Sequence, residues 1–92
     1  MTFTMCIPRV HKNINKEKIK TVFKKYNFGD LYKIVILENN YFNKVFIHYN
    51  SLYNNKNTQL ILKMLDENKY FNIIYETPWF WKCYKFHDKS NR

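Results

Sequence analysis

The chain has no alanine, one glycine and two prolines among its 92 residues. Without alanine the core must be built from large side chains, and with so little glycine and proline a disordered or linker-rich chain is excluded. Two cysteines, Cys6 and Cys83, are too far apart for a CxxC pair and too few for a disulfide framework, so both are expected as reduced thiols. No run approaches the ~20 unbroken apolar residues that span a bilayer. The N-terminus, with its first basic residue at Arg9, lacks the charged start of a secretory signal. These absences predict an intracellular protein with no membrane partner and no secretion. Acidic residues are also scarce: seven, against sixteen Lys and Arg, for a net charge of +9. That excess favours a polyanionic partner by long-range attraction, although steering does not identify the docking surface. The dominance of Lys, Asn, Ile and Tyr over Arg, Gly and Ala also fits translation from an AT-rich genome, which accounts for part of the charge pattern.

What is present is aromatic: one residue in five is Phe, Trp or Tyr. The chain length allows one compact domain, which buries only roughly 60 to 65% of its unfolded surface, so nearly every periodic apolar residue is needed inside. The stretch from Phe42 to Tyr49 is the most informative. With a period of two, Val45, Ile47 and Tyr49 form a core row, whereas Phe42, Lys44, Phe46 and His48 form the opposite one. Rings alternating with cations on one pleated face suit nucleic acid, since rings stack on bases and cations meet phosphates.

In chain order, Phe3 to Ile7 predicts a strand with Phe3, Met5 and Ile7 inward, closed by Pro8. Asn15 is a candidate N-cap for a helix whose apolar stripe is Ile19, Val22, Phe23 and Tyr26, its lysines forming a solvated outer face. Asn27 to Asp30 forms a turn in which Gly29 supplies the C-terminal cap. Leu31 to Leu37 is a second strand. Asn39-Asn40 then reads as a two-residue hairpin turn, which pairs Leu37 with Phe42, Val35 with Lys44 and Lys33 with Phe46, and puts Tyr32 inward opposite Ile47. A second helix starts near Asn54 or Asn55 with Ile61, Met64 and Leu65 inward, its stripe widened by Leu60 and Leu62, and Asp66 to Lys69 turns out of it. Phe71 to Glu76 is a fourth strand with Phe71, Ile73 and Tyr75 inward, ended by Thr77-Pro78. Residues 1–86 form one domain with an aromatic extension from about 78 on this view, and 87–92 form a polar tail expected to fray.

The order strand, helix, strand, strand, helix, strand predicts an α+β, ferredoxin-like βαββαβ sandwich. Two helices would cover one face of a four-stranded antiparallel sheet with the first and third strands central. Cys6, Phe46 and His48 then meet in the middle of the helix-free face, joined by Val35, Leu37, Phe42 and Ile74. An apolar patch of that extent is seldom left uncovered by a monomer.

Over residues 3–76 the chain resembles the RNA recognition motif (RRM) family. Phe42 to Tyr49 is similar to that family's octapeptide on the third strand, and Met5-Cys6-Ile7-Pro8-Arg9-Val10 to its hexapeptide on the first. Together with Pro78-Trp79-Phe80-Trp81, these segments more particularly resemble small RRM-like proteins of giant DNA viruses. Of the three aromatics on which family members stack bases, only Phe46 is matched; Lys44 and Cys6 stand at the other two ring positions, and Asn43 replaces the motif's glycine. The resemblance implies non-catalytic binding of single-stranded nucleic acid, RNA by family habit, with weak sequence preference.

The residues expected to carry such binding are Phe46 and Phe42 as platforms, Trp79 or Trp81 as a further ring, and His48 beside them, with Arg9, Lys33, Lys44, Lys82 and Lys85 on phosphates. No residue reports on a 2′-hydroxyl, so DNA stays open beside RNA. An alternative is a protein-interaction module that uses the apolar face and the Trp79 to Trp81 segment, since aromatic anchors with a polar rim also suit an interface. A third arrangement has Trp79, Phe80 and Trp81 folded back over the sheet. No cofactor or metal is expected. A Cys6-His48 pair lacks an acid or a third ligand, so an inert thiol beside an imidazole is the expectation and the protein is not expected to be an enzyme.

Overall fold

The first strand, β1 (Phe3–Val10), does not end at Pro8 in the computed structural model, which describes residues 3–86. Its register against the neighbouring strand shifts between Ile7 and Val10, and a bulge is one of the few sheet positions that tolerates a residue without an N–H. Val10 thereby returns to the core at 1% exposure. Helix α1 (Lys16–Tyr26) starts at the expected cap, where the Lys18 N–H donates to Asn15 Oδ1 at 2.9 Å. It ends on Asn27 in the left-handed conformation (φ 58°, ψ 49°), whose N–H donates to the Phe23 carbonyl. Gly29 is therefore not the cap. It opens β2 (Gly29–Glu38), where a Cβ would strike the Ser51 carbonyl and come within 2.9 Å of Leu52 Cα.

The hairpin from β2 to β3 (Asn43–Leu52) differs in register from the expectation by two residues. Leu37 faces Lys44, Val35 faces Phe46 and Lys33 faces His48, while Ile36 meets Val45 and Ile34 meets Ile47. The connection is a four-residue loop, Asn39 to Phe42, closed by Asn39 N–H donating to the Phe42 carbonyl at 3.2 Å. A slip of two keeps every side chain on its face, so the pattern of faces survives while Phe42 leaves the sheet. A second irregularity between Leu31 and Lys33 turns Tyr32 outward to 62% exposure instead of inward.

Helix α2 (Lys56–Asn68) is capped by Asn55, which accepts from the Thr58 N–H at 2.8 Å. It runs a turn further than expected, to Lys69 at φ 72°. Ile61 and Leu65 are buried and Met64 packs against the core, but Leu60 and Leu62 point outward. β4 (Tyr70–Glu76) and β5 (Trp79–Lys85) then form a hairpin across Thr77 and Pro78.

The four strands expected are five, in the order β2-β3-β1-β5-β4, and every pairing is antiparallel. β5, not β4, lies beside β1, and because both β5 and β3 are antiparallel to β1 they run the same way. The segment expected as an extension thus takes the place expected of residues 71–76, which form the outer strand. Its alternation explains why: Trp81 and Cys83 are 3% and 0% exposed, whereas Phe80, Lys82 and Tyr84 face the other way.

One core lies between the helices and one sheet face. Met5, Ile7, Ile34, Val45, Ile47, Tyr49, Phe71, Ile73, Trp81 and Cys83 from the strands join Ile19, Val22 and Phe23 of α1 and Ile61 and Leu65 of α2 in a single cluster. Trp81 belongs to it, stacked between Phe23 (6.4 Å between centroids, 5° between planes) and Tyr75 (4.3 Å, 13°). The opposite face carries no helix. Among the described residues no helix is long and apolar enough to cross a membrane.

Candidate nucleic-acid interface

The register of the helix-free face brings one row of side chains together across all five strands. Val35 is opposite Phe46, Phe46 opposite Cys6, Cys6 opposite Tyr84, and Tyr84 opposite Tyr70. Phe46, Tyr84 and Tyr70 are half-buried rings, and Cys6 is the small residue between the first two. Strands are about 4.8 Å apart, so Phe46 and Tyr84 stand about 10 Å from each other on either side of Cys6, which is only 7% exposed. The rings of Tyr84 and Tyr70 are 5.7 Å apart.

Cations flank this row in a regular way. Lys44 Nζ lies 5.7 Å from the Phe46 centroid and Lys82 Nζ lies 5.1 Å from the Tyr70 centroid. Both distances are within cation-π range, with Lys44 half-buried and Lys82 exposed. In the next row Lys33 is opposite His48, whose Nδ1 hydrogen-bonds with Thr4 Oγ1 at 3.0 Å. Burial, and then the Lys33 charge, hold the His48 imidazole below its ordinary pKa, so it is neutral at pH 7. Burial raises the Cys6 thiol, with Lys44 opposing in part, which leaves Cys6 protonated and a poor nucleophile. Among the described residues, no three His, Cys, Asp or Glu side chains come together as a metal cluster.

The expected site residues therefore divide. Phe46, Lys44, His48, Lys33 and Lys82 share the open face. Arg9 and Phe42 sit at its end, where the guanidinium carbon is 6.0 Å from the Phe42 centroid and His11 meets the same ring edge-on at 6.0 Å. Three residues belong elsewhere. Trp81 is a core residue on the helix side. Lys85, opposite Met5, also faces the helix side, its Nζ 5.5 Å from the Phe3 centroid. Trp79 is 62% exposed at the β4-β5 turn, about 17 Å along the strand from Tyr84. The aromatic segment is not folded back over the sheet but built into it.

Comparison with protein-family models, curated proteins and solved structures returned no match. Two rings that sequence reasoning missed, Tyr84 and Tyr70, complete the row. The signal for Tyr84 was the alternation of Phe80, Lys82 and Tyr84 against Trp81 and Cys83, hidden because both faces of β5 carry large side chains; the signal for Tyr70 was its place one residue before the inward Phe71, on the row of Asn72 and Ile74. Phe86 continues the contact: its N–H donates to the Thr4 carbonyl at 2.9 Å and its ring meets Phe46 edge-on at 5.0 Å. The expected tail, 87–92, lies outside the described residues.

Proposed function

We propose that this protein is a non-catalytic, RRM-like domain that binds single-stranded nucleic acid across the helix-free sheet face, with weak sequence preference. The split β1-α1-β2 arrangement, with β3 between two parallel strands and β5 completing the set beside β1, is the ferredoxin-like part of this proposal, and β4 is an addition to it. The observation that carries it is the row Phe46-Cys6-Tyr84-Tyr70 with Lys44 and Lys82 set against its rings. Rings accept any base because every base has a π-face, and each stacked base contributes about 1 to 3 kcal/mol. Arg9, Lys33, Lys44 and Lys82 meet phosphates, which for about four contacts gives a log-log salt slope of roughly −3. Tyr84 supplies the second platform that Cys6 does not, so the loss of a ring on β1 is offset one strand away.

A second use of the same molecule, docking of a protein, is favoured by Trp79, Phe80 and Ile74, which leave the β4-β5 hairpin 62%, 48% and 53% exposed. Salt separates the two. A fluorescent oligouridylate and a matched oligothymidylate are titrated at about 50 and about 200 mM salt, with Phe46→Ala and Lys44→Glu beside the parent. Affinity that falls with salt and drops in both variants supports the nucleic-acid function. No binding at the lower salt, or variants that bind as the parent does, overturns it.

A further inference from the structure

Helix α1 carries five lysines in eleven residues, and the fold treats them differently. Lys18 lies on the side of β4, 3.9 Å from Glu76. Lys16, Lys20 and Lys24 recur every fourth residue, about 6 Å apart along the axis, on the side of the free edge strand β2. With Tyr32 and Lys33 they line a groove of about 340 Å³ in which Glu17 is the acidic residue. Like charges at this spacing repel one another, and the exposed Glu17 opposes three ammonium groups. An anion with a repeating charge relieves that repulsion.

Two further features show which anion the groove fits. The irregularity in β2 turns the Tyr32 ring outward into the groove, 62% exposed, with Lys33 Nζ 5.5 Å from its centroid, so an exposed platform stands within the basic line. Lys33 also belongs to the sheet face, where it is opposite His48. The two surfaces are therefore joined at one residue, around the edge of the sheet. A lipid surface is flat and would meet the helix alone, whereas a flexible chain with one charge per unit and stackable bases can turn this edge.

We propose that the groove between α1 and β2 is a second phosphate track, on which a single-stranded nucleic acid leaving the sheet at Lys33 continues along Lys16, Lys20 and Lys24 with a base on Tyr32. This rests on the nucleic-acid function of the sheet face and extends its footprint. Contacts of this kind touch backbone and π-face, so the track adds affinity with length and no sequence preference.

The test compares oligouridylates of ~5 and ~12 nucleotides on the parent chain and on a variant with Lys16→Gln, Lys20→Gln and Lys24→Gln together. Gln has helix propensity close to Lys, and a circular-dichroism melt confirms that the variant folds. The short oligomer should bind both chains alike. The parent should prefer the long one, and its preference should shrink about 16-fold between about 50 and about 200 mM salt, three extra phosphates adding about 2 to the slope. The variant, and Tyr32→Ala in part, should lose that preference. A long-oligomer advantage that survives the three substitutions overturns this proposal alone. So does a result in which they abolish binding to phosphatidylserine vesicles but leave the oligomer untouched. If the short oligomer is not bound at all, the sheet function fails and the track with it.

Discussion

Replacing Trp81 by alanine tests whether the aromatic segment after Pro78 is structural. The indole is 3% exposed and lies between Phe23 of α1 and Tyr75 of β4, so its removal opens a cavity that touches a helix and two strands. Trp to Ala in a core costs about 3 to 5 kcal/mol, and two parallel ring contacts put this case near the upper end. A domain of this length is stable by about 5 to 14 kcal/mol at roughly 0.05 to 0.15 kcal/mol per residue, so Trp81→Ala removes between a third and nearly all of it. Trp79→Ala, at a 62% exposed position two residues away, should stay within about 0.5 kcal/mol. Urea unfolding followed by far-ultraviolet circular dichroism reads both without relying on tryptophan fluorescence. Trp81→Ala should shift the midpoint far down or leave no folded baseline, and Trp81→Phe should recover part of the loss. Equal, small shifts for Trp79→Ala and Trp81→Ala would refute the placement of β5 in the core.

Other consequences can be measured on the same material. Gly29→Ala should cost about 2 kcal/mol in urea unfolding, because the added methyl meets backbone at Ser51 and Leu52 that cannot rotate away. Tyr49→Phe should be neutral or stabilising by about 1 kcal/mol, since the Tyr49 hydroxyl is buried without a partner among the described residues. His48, faced by Thr4 and Lys33, has its pKa lowered in the folded chain, so as pH falls below about 6.5 the unfolded state takes up the proton first and stability declines. The pH dependence should weaken in His48→Gln. Over the same range, oligonucleotide affinity should rise in the parent, as a protonated His48 adds a cation to the face. A thiol reagent at pH 8 should label Cys6 slowly, and Cys83, 0% exposed, only on unfolding.

Local chemistry was legible wherever one residue decides one conformation. Asn15 and Asn55 cap their helices because a short side-chain oxygen reaches an amide N–H three residues on, and Val45, Ile47 and Tyr49 face the core because a half-apolar alternation has one stable side. The hairpin register was not legible. A slip of two moves Phe42 into a loop without moving Lys44 or Phe46 to another face, so face sorting could not detect it. Tyr32 and Pro8 lie at irregularities, where a two-residue period fails. The strand 79–85 was hidden for a different reason. Trp81 and Cys83 fill the core while Phe80 and Tyr84 occupy the open face, so a strand apolar on both sides read as an unpatterned aromatic run. That one misplacement removed Tyr84 from the candidate site and put Trp81 and Lys85 into it.

The most direct measurement is an amide chemical-shift map of the folded chain during titration with an oligouridylate of ~5 nucleotides. Progressive shifts should centre on Phe46, Cys6, Tyr84 and Tyr70, with Lys44 and Lys82 beside them, while Phe23 and Ile61 on the helix side stay where they are. Shifts gathered on the helices or on the Trp79 turn, or no shifts at all, would contradict the account.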